Sequence, residues 1–343
     1  MVIKSIDLQI YDLEKAFDAL WLEDCMIDLY LSSDKAEQDD KLSLMYELNQ
    51  NNLVAINSPI GQTKRINIPN IVMQGSTPGP LQCSNSIDSL GKKSMKKGEN
   101  LYNYRGVDVP LLGCVDDILG AAECGMKSTD LNIFITTQVE LKKLRFHVPD
   151  SNGKSKCHKI HVGKSHETCP ELMVHGTTMM PVTSAKYLGD ILSGDGRNTL
   201  NIESRVSKGL GILSQIDNLL DTVSLGHHYF EIALLLRESM LINGILTNAQ
   251  IWYGLTESEI KSLETIDKIF LKSILKTKSS VCYEALFLEL GILPLGIIIK
   301  ERRVKYLHYL VNRNENETIY KFLNAQWNQP VKNDWSLQVL QDL

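Results

Sequence analysis

The 343-residue chain is predicted to be an α+β protein, with a mixed or antiparallel sheet carrying helices on one face over residues 1–196 and an all-helical region over 197–343. Two observations predict this. Through about residue 195, short strand-like apolar segments alternate with segments of helical spacing. From about Asn198 onward every apolar pattern repeats at three and four residues, so only helices are expected there.

Taken in order, Ile6-Asp7-Leu8-Gln9-Ile10-Tyr11 alternates like a half-buried strand and ends on Asp12. Trp21–Leu31 and Leu42–Asn49 have helical spacing, and Leu53–Asn57 with Lys64–Ile68 reads as a short strand pair joined by Ser58-Pro59-Ile60-Gly61. Asn70-Ile71-Val72-Met73 is an apolar strand that breaks into Gln74-Gly75-Ser76. The chain restarts after Gly79-Pro80, where proline suits the first turn of a new helix. An apolar run from Val109 to Val115 then stops on Asp116-Asp117, followed by Ile118-Leu119 and a helix over Thr129–Leu144. The helical part comprises Glu203–Leu219, His228–Leu246, Glu257–Leu275 and Leu295–Val311.

Paired carboxylates at the end of an apolar strand repel each other and lose solvation, so a positive partner is expected, a divalent ion foremost. A third carboxylate, Asp12, closes a distant strand. Three acids from two strands could meet around two magnesium ions, an arrangement that serves phosphoryl transfer. The alternative is a solvated Asp-Asp turn.

The order of these segments resembles the reverse transcriptases of non-LTR, LINE-type retrotransposons. Asp12-Leu13-Glu14-Lys15-Ala16-Phe17-Asp18 is similar to their first palm motif, and Gln74 to Leu81 to the second. Cys114 to Asp117 stands in place of Tyr-Ala-Asp-Asp, and Lys186 to Gly196 resembles the Tyr-Leu-Gly segment beside the primer end. Leu290 to Pro294 with Glu301-Arg302-Arg303 is similar to the helical region after the polymerase. The resemblance covers roughly residues 5 to 313. It implies a polymerase palm over 1–196, then a helical thumb and C-terminal region over 197–343.

It further implies an RNA-directed DNA polymerase that extends a DNA primer on an RNA template with dNTPs and two Mg²⁺ ions, Mn²⁺ being a substitute. Asp12, Asp116 and Asp117 would hold the metals. Phe17 would press on the nucleotide sugar, and Gln74 and Gly75 would line the nucleotide and template pocket. Lys156 would help protonate pyrophosphate, and Tyr187, Leu188 and Gly189 would form the primer grip. Core packing is the competing reading for Phe17, and an ordinary surface lysine for Lys156; Glu14 and Asp18 are read as solvated or structural. Cys114 and Val115 depart from the usual aromatic and alanine. The chain begins about ten residues before Asp12, so the fingers and the preceding endonuclease are expected to be missing and the chain to be a truncated copy. A catalytically inactive remnant acting as an interaction module is the alternative function.

The chain carries 36 Lys+Arg against 41 Asp+Glu, a net charge of −5, which argues against strong nucleic-acid binding by this chain alone. The acid is concentrated in the first fifty residues, with 4 basic against 12 acidic side chains. Lys92-Lys93, Lys96-Lys97, Lys142-Lys143-Arg145 and Lys154-Lys156 are candidate backbone contacts or plain solvated faces. No apolar run approaches the eighteen or so residues of a membrane span, and no secretory signal pattern opens the chain. Seven cysteines without dense spacing suggest reduced thiols, and the resemblance implies nucleus or cytoplasm. Cys157, His161, His166 and Cys169 have the ligand types for zinc at a spacing that matches no common finger.

Overall fold

The structure is a computed structural model that describes residues 5–32, 40, 43–44, 46–47, 53–67, 79–97, 102–109, 111–147, 156–163, 170–222, 226–277, 280–332 and 334–343. The helix expected over Leu42–Asn49 lies mostly outside these residues, and the Asn70–Met73 strand lies wholly outside them. The chain divides into two compact units, residues 1–104 with 108–188, and residues 105–107 with 189–343. Among the described residues no helix is long and apolar enough to cross a membrane.

The first unit is built on a mixed five-stranded sheet. Its strands are β1 (Ile6–Asp12), β2 (Leu112–Cys114), β3 (Asp117–Glu123), β4 (His158–Val162) and β5 (Met180–Val182), in the order β5-β4-β1-β3-β2. All neighbours are antiparallel except β4 and β5, which run parallel. Helices α1 (Ala16–Ala19), α2 (Leu22–Ser32), α3 (Gly79–Lys97) and α4 (Met126–Leu141) also belong to this unit. The expected strand pair appears as Leu53–Val54 against Ile66–Asn67.

Strand β1 is central, and this changes the meaning of its alternation. Asp7, Gln9 and Tyr11 read as a polar face, yet all three are buried. Helix α4 accounts for two of them: Gln9 Nε2 donates to the Ser128 carbonyl (2.8 Å) and hydroxyl (3.0 Å), Tyr11 Oη donates to Gln9 Oε1 (2.7 Å), and Asn132 Nδ2 donates to Tyr11 Oη (2.9 Å). Gln9 and Tyr11 thus each exchange water for protein partners, and their burial costs little. Leu131, Ile135 and Val139 continue the buried stripe of α4 at helical spacing, and a Cβ on Gly120 would lie 3.1–3.3 Å from Leu131, Leu111 and Ile135. Glycine there lets helix and sheet approach. Helix α3 uses the same device at Gly113, where a Cβ would fall 2.4 Å from Ile87 Cγ2.

The second unit begins with strand β7 (Asp190–Ser193), β6 (Ser184–Tyr187) being the last strand of the first unit. Helices α5 (Thr199–Thr222), α6 (Tyr229–Leu236), α7 (Glu257–Leu275), α8 (Tyr283–Leu290), α9 (Leu295–Val311), α10 (Thr318–Asn328) and α11 (Trp335–Asp342) follow. A π-helical turn over Arg237–Ile242 extends α6 to Ile245. Helix α7 starts on a capping box in which Thr256 and Glu259 satisfy each other's backbone N–H.

Buried ionic clusters organise this helical unit, among them those centred on Asp190 and Asp267. Asp190 accepts from Arg205 Nη2 (2.8 Å), Asn201 Nδ2 (2.9 Å), Asn248 Nδ2 (2.7 Å) and Trp252 Nε1 (3.3 Å), tying β7 to α5. Arg237, 1% exposed, forks onto both oxygens of Asp267 at 2.7 Å, and Tyr283 Oη donates to Asp267 Oδ2 at 2.7 Å. Burial pushes the Tyr283 hydroxyl far up, with the Asp267 charge adding to it.

Candidate active site

The site starts from hairpin geometry. Cys114 pairs with Asp117 across a two-residue turn, and Asp117 is the direct cross-strand partner of Asp12. Residues directly opposed in a sheet share a face, so the register alone puts the Asp12 and Asp117 carboxylates side by side. Asp116 occupies the turn between the strands, and its carbonyl accepts from Leu13 N at 3.0 Å. Backbone pairing between residues more than a hundred positions apart thus sets Asp12 against Asp117, with Asp116 in the adjoining turn.

The turn is strained. Val115 has φ 58°, the left-handed region, at the first central position of a two-residue hairpin, where a type II′ turn takes glycine. A β-branched residue there costs about 1–2 kcal/mol. Neighbours hold it: the Cys83 thiol donates to the Val115 carbonyl at 3.5 Å, and Val115 packs on the core cluster of this unit. Burial pushes the Cys83 thiol up to about 12, keeping it a neutral donor.

Asp12 is bracketed by Lys156, His147 and backbone. Lys156 Nζ lies 3.4 and 3.3 Å from its two oxygens, His147 Nε2 lies 3.4 Å from Oδ1, and His147 N donates to the Asp12 carbonyl at 2.9 Å. Asp117 is held above the usual carboxylate range by burial first, then by the charges of Asp116 and Asp12, with Lys156 acting in the opposite direction. Like charges crowded together are what a bound cation relieves, and carboxylates are the ligand type magnesium takes. Among the described residues the three carboxylates do not form a set with all ligand atoms within 4.8 Å of one another. Lys156 supplies the compensating charge at Asp12.

Tyr187 belongs to the same neighbourhood. Its hydroxyl donates to the Leu112 carbonyl at 3.2 Å, and burial with the Asp117 and Cys114 charges pushes it up to about 12. Leu188 and Gly189 follow with φ 46° and 89°, and the Gly189 carbonyl accepts from Arg205. Phe17 is partly buried on α1 and packs on the core cluster that holds Tyr11 and Cys157. Gln74 and Gly75 lie outside the described residues.

Other sequence candidates resolve differently. Lys142 is a structural cation, paired to Asp28 at 2.5 Å and to the Ser86 hydroxyl at 3.0 Å, and Lys143 lies over the Trp21 ring. Cys157 and His161 cannot share one zinc ion. Cys157 sits immediately before β4 and His161 within it, about 13 Å apart along an extended chain. The Cys157 thiol faces the Asp12 carbonyl and is pushed up to about 11, chiefly by burial, while His161 Nδ1 lies 2.9 Å from Asp7 Oδ1. His166 and Cys169 lie outside the described residues. The supporting role of Cys83 was missed; its place in the segment after Pro80, on the buried stripe with Ile87 and Leu90, is the signal that could have found it.

No protein-family model matches the chain, and no curated protein is similar to it in sequence. By structure the chain is similar to apo telomerase from Candida tropicalis (TM-score 0.46, 11% identity, covering 99% of this chain and 54% of that chain). It is also similar to that telomerase in complex with a TWJ fragment of telomeric RNA (TM-score 0.43, 11% identity, 99% and 49%). A third similar structure is telomerase from Candida albicans in complex with the same kind of RNA fragment (TM-score 0.40, 11% identity, 98% and 50%). The chain spans about half the length of these telomerase chains.

Proposed function

We propose that the first unit is the palm of an RNA-directed DNA polymerase of the non-LTR retrotransposon type, and that the helical unit includes its thumb. The observation that carries this reading is the juxtaposition of Asp12 and Asp117 by strand register, with Asp116 in the connecting turn. The four motifs in order supply the rest of the support.

In this reading Asp12, Asp116 and Asp117 would hold two Mg²⁺ ions, or Mn²⁺, and the metals would supply activation of a primer hydroxyl and neutralisation of charge on the transferred nucleotidyl group. The chain's own residues orient and balance charge. The positive φ of Val115 shapes the turn that carries Asp116, and Leu13 N fixes the Asp116 carbonyl. Lys156, on a largely exposed side chain, is placed to leave Asp12 for the leaving pyrophosphate and donate a proton to it. Tyr187, kept protonated by its surroundings, stands beside the hairpin where a primer terminus would be held. Template RNA, DNA primer and dNTPs are the partners this chemistry requires.

A second reading rests on the Asp12–Lys156 pair. The ammonium already neutralises Asp12, as a non-catalytic remnant would tolerate. Mn²⁺ titration followed by electron paramagnetic resonance separates the two. The polymerase reading predicts Mn²⁺ binding in the presence of dTTP that is lost in Asp12→Asn and in Asp117→Asn. Equal binding by the wild type and both variants would remove the triad as the metal site.

A further inference from the structure

At the opposite end of the same strands lies a second group of ligating side chains, distinct from the triad. Asp7 on β1 is directly opposed to His161 on β4 and to Ala122 on β3, and Cys124 follows Ala122 by two residues, its N–H bonded to the Ser5 carbonyl. Asp7 and Asp12 are five residues apart on one strand, about 17 Å. Two adjacent strands and the residue just past the end of a third therefore each offer one ligand. The carboxylate, imidazole and thiol atoms all lie within 4.8 Å of one another, close to the roughly 3.3–3.8 Å separations of a tetrahedral zinc set.

Asp7 is the second observation. Its side chain is fully buried, Oδ1 meets His161 Nδ1 at 2.9 Å, and Oδ2 is buried with no hydrogen-bond partner. A buried carboxylate with one oxygen left over is costly unless something positive completes it. His161 also lines a cleft of about 500 Å³ together with Lys159, Glu171 and Thr183 among others. Thiolate plus imidazole plus carboxylate is the ligand chemistry of zinc and not of magnesium, which takes oxygen.

We propose that Asp7, His161 and Cys124 form a zinc site, with water as fourth ligand, that pins β1, β3 and β4 together. Binding releases the Cys124 thiol proton to solvent and leaves the metal redox-neutral. The site is independent of the polymerase reading, since it uses none of the triad residues.

The test is Co²⁺ titration of the chelator-stripped full chain, read by tetrahedral d–d bands and a thiolate-to-cobalt charge-transfer band. About one Co²⁺ per chain is expected, displaced by Zn²⁺. Cys124→Ser should abolish the charge-transfer band, and His161→Gln should weaken binding at least about tenfold. Asp116→Asn/Asp117→Asn and Cys169→Ser should leave the spectrum unchanged. Retention of the band in Cys124→Ser, its loss in Cys169→Ser, or no bands in the wild type would overturn the site. If the Cys124 and His161 variants fail to fold, alkylation of the wild type decides. Zinc protection of Cys124, read by peptide mass spectrometry, supports the site, and equal labelling with and without zinc overturns it.

Discussion

Gly113→Ala probes the contact that holds the carboxylate hairpin on its helix. The new Cβ would fall 2.4 Å from Ile87 Cγ2, against about 3.5–4.0 Å for comfortable carbon contacts. Ile87 is 3% exposed on α3 and its Cγ2 is fixed to a branched Cβ, so the overlap forces strand or helix to move. Overpacking of this kind costs about 1–3 kcal/mol, partly offset by about 0.4–1 kcal/mol of lost unfolded-state freedom. The net expectation is about 1–2 kcal/mol, or about 2–8 °C in Tm. Ile87→Ala removes the obstructing methyl at its own cavity cost of about 2–5 kcal/mol. The two changes share one volume, so urea denaturation of the four proteins in a double-mutant cycle should show the double variant less destabilised than the sum of the singles by at least about 1 kcal/mol. Additive effects, or a Gly113→Ala variant within about 0.5 kcal/mol of wild type, would refute the close-approach argument.

Two further outcomes follow from buried charge. Asp117 has its folded pKa raised above the unfolded value, so its contribution to stability is present at low pH and lost as pH rises through the folded value. Asp117→Asn should therefore raise Tm at neutral pH, with the gap closing as pH falls toward about 4; a gap of opposite sign, or one independent of pH, contradicts the repulsion argument. Arg237→Met strands Asp267, which is fully buried and keeps only Tyr283, and should cost about 3–5 kcal/mol by chemical denaturation. Arg237→Met/Asp267→Leu should recover most of that loss, and a double variant as unstable as the single would show that the pair is not the cause.

Much of the architecture is legible in the residues. Alternation marks β1 to its last residue, Asp12, although consecutive residues Gln9–Tyr11 are all buried, and three-and-four spacing marks α7 and α9 over Glu257–Leu275 and Leu295–Val311, because each helix buries one regular face. The short helices α8, α10 and α11 escaped, having only eight to eleven residues in which a period can show. Asp7 and Gln9 read as a solvated face because nothing local reveals that β1 is central and covered by α4. Reading Tyr187-Leu188-Gly189 as a primer grip stopped one residue short of Asp190, whose carboxylate collects four donors in the helical unit. Asp267 could have been found: it shares the apolar stripe of α7 with Leu263, Ile266, Phe270 and Ile274, and an acid on that face requires a buried partner. The supports of the carboxylate turn, Cys83 and the left-handed Val115, depend on contacts across long sequence separations and on a backbone angle that valine does not advertise.

Primer extension on poly(rA)/oligo(dT) with Mg²⁺ or Mn²⁺ tests the central claim most directly, comparing the chain with its Asp116→Asn/Asp117→Asn variant after circular dichroism has shown both folded. The account predicts metal-dependent extension that the double substitution abolishes. Extension that survives the substitution, or none from the folded wild type under either metal, would contradict it.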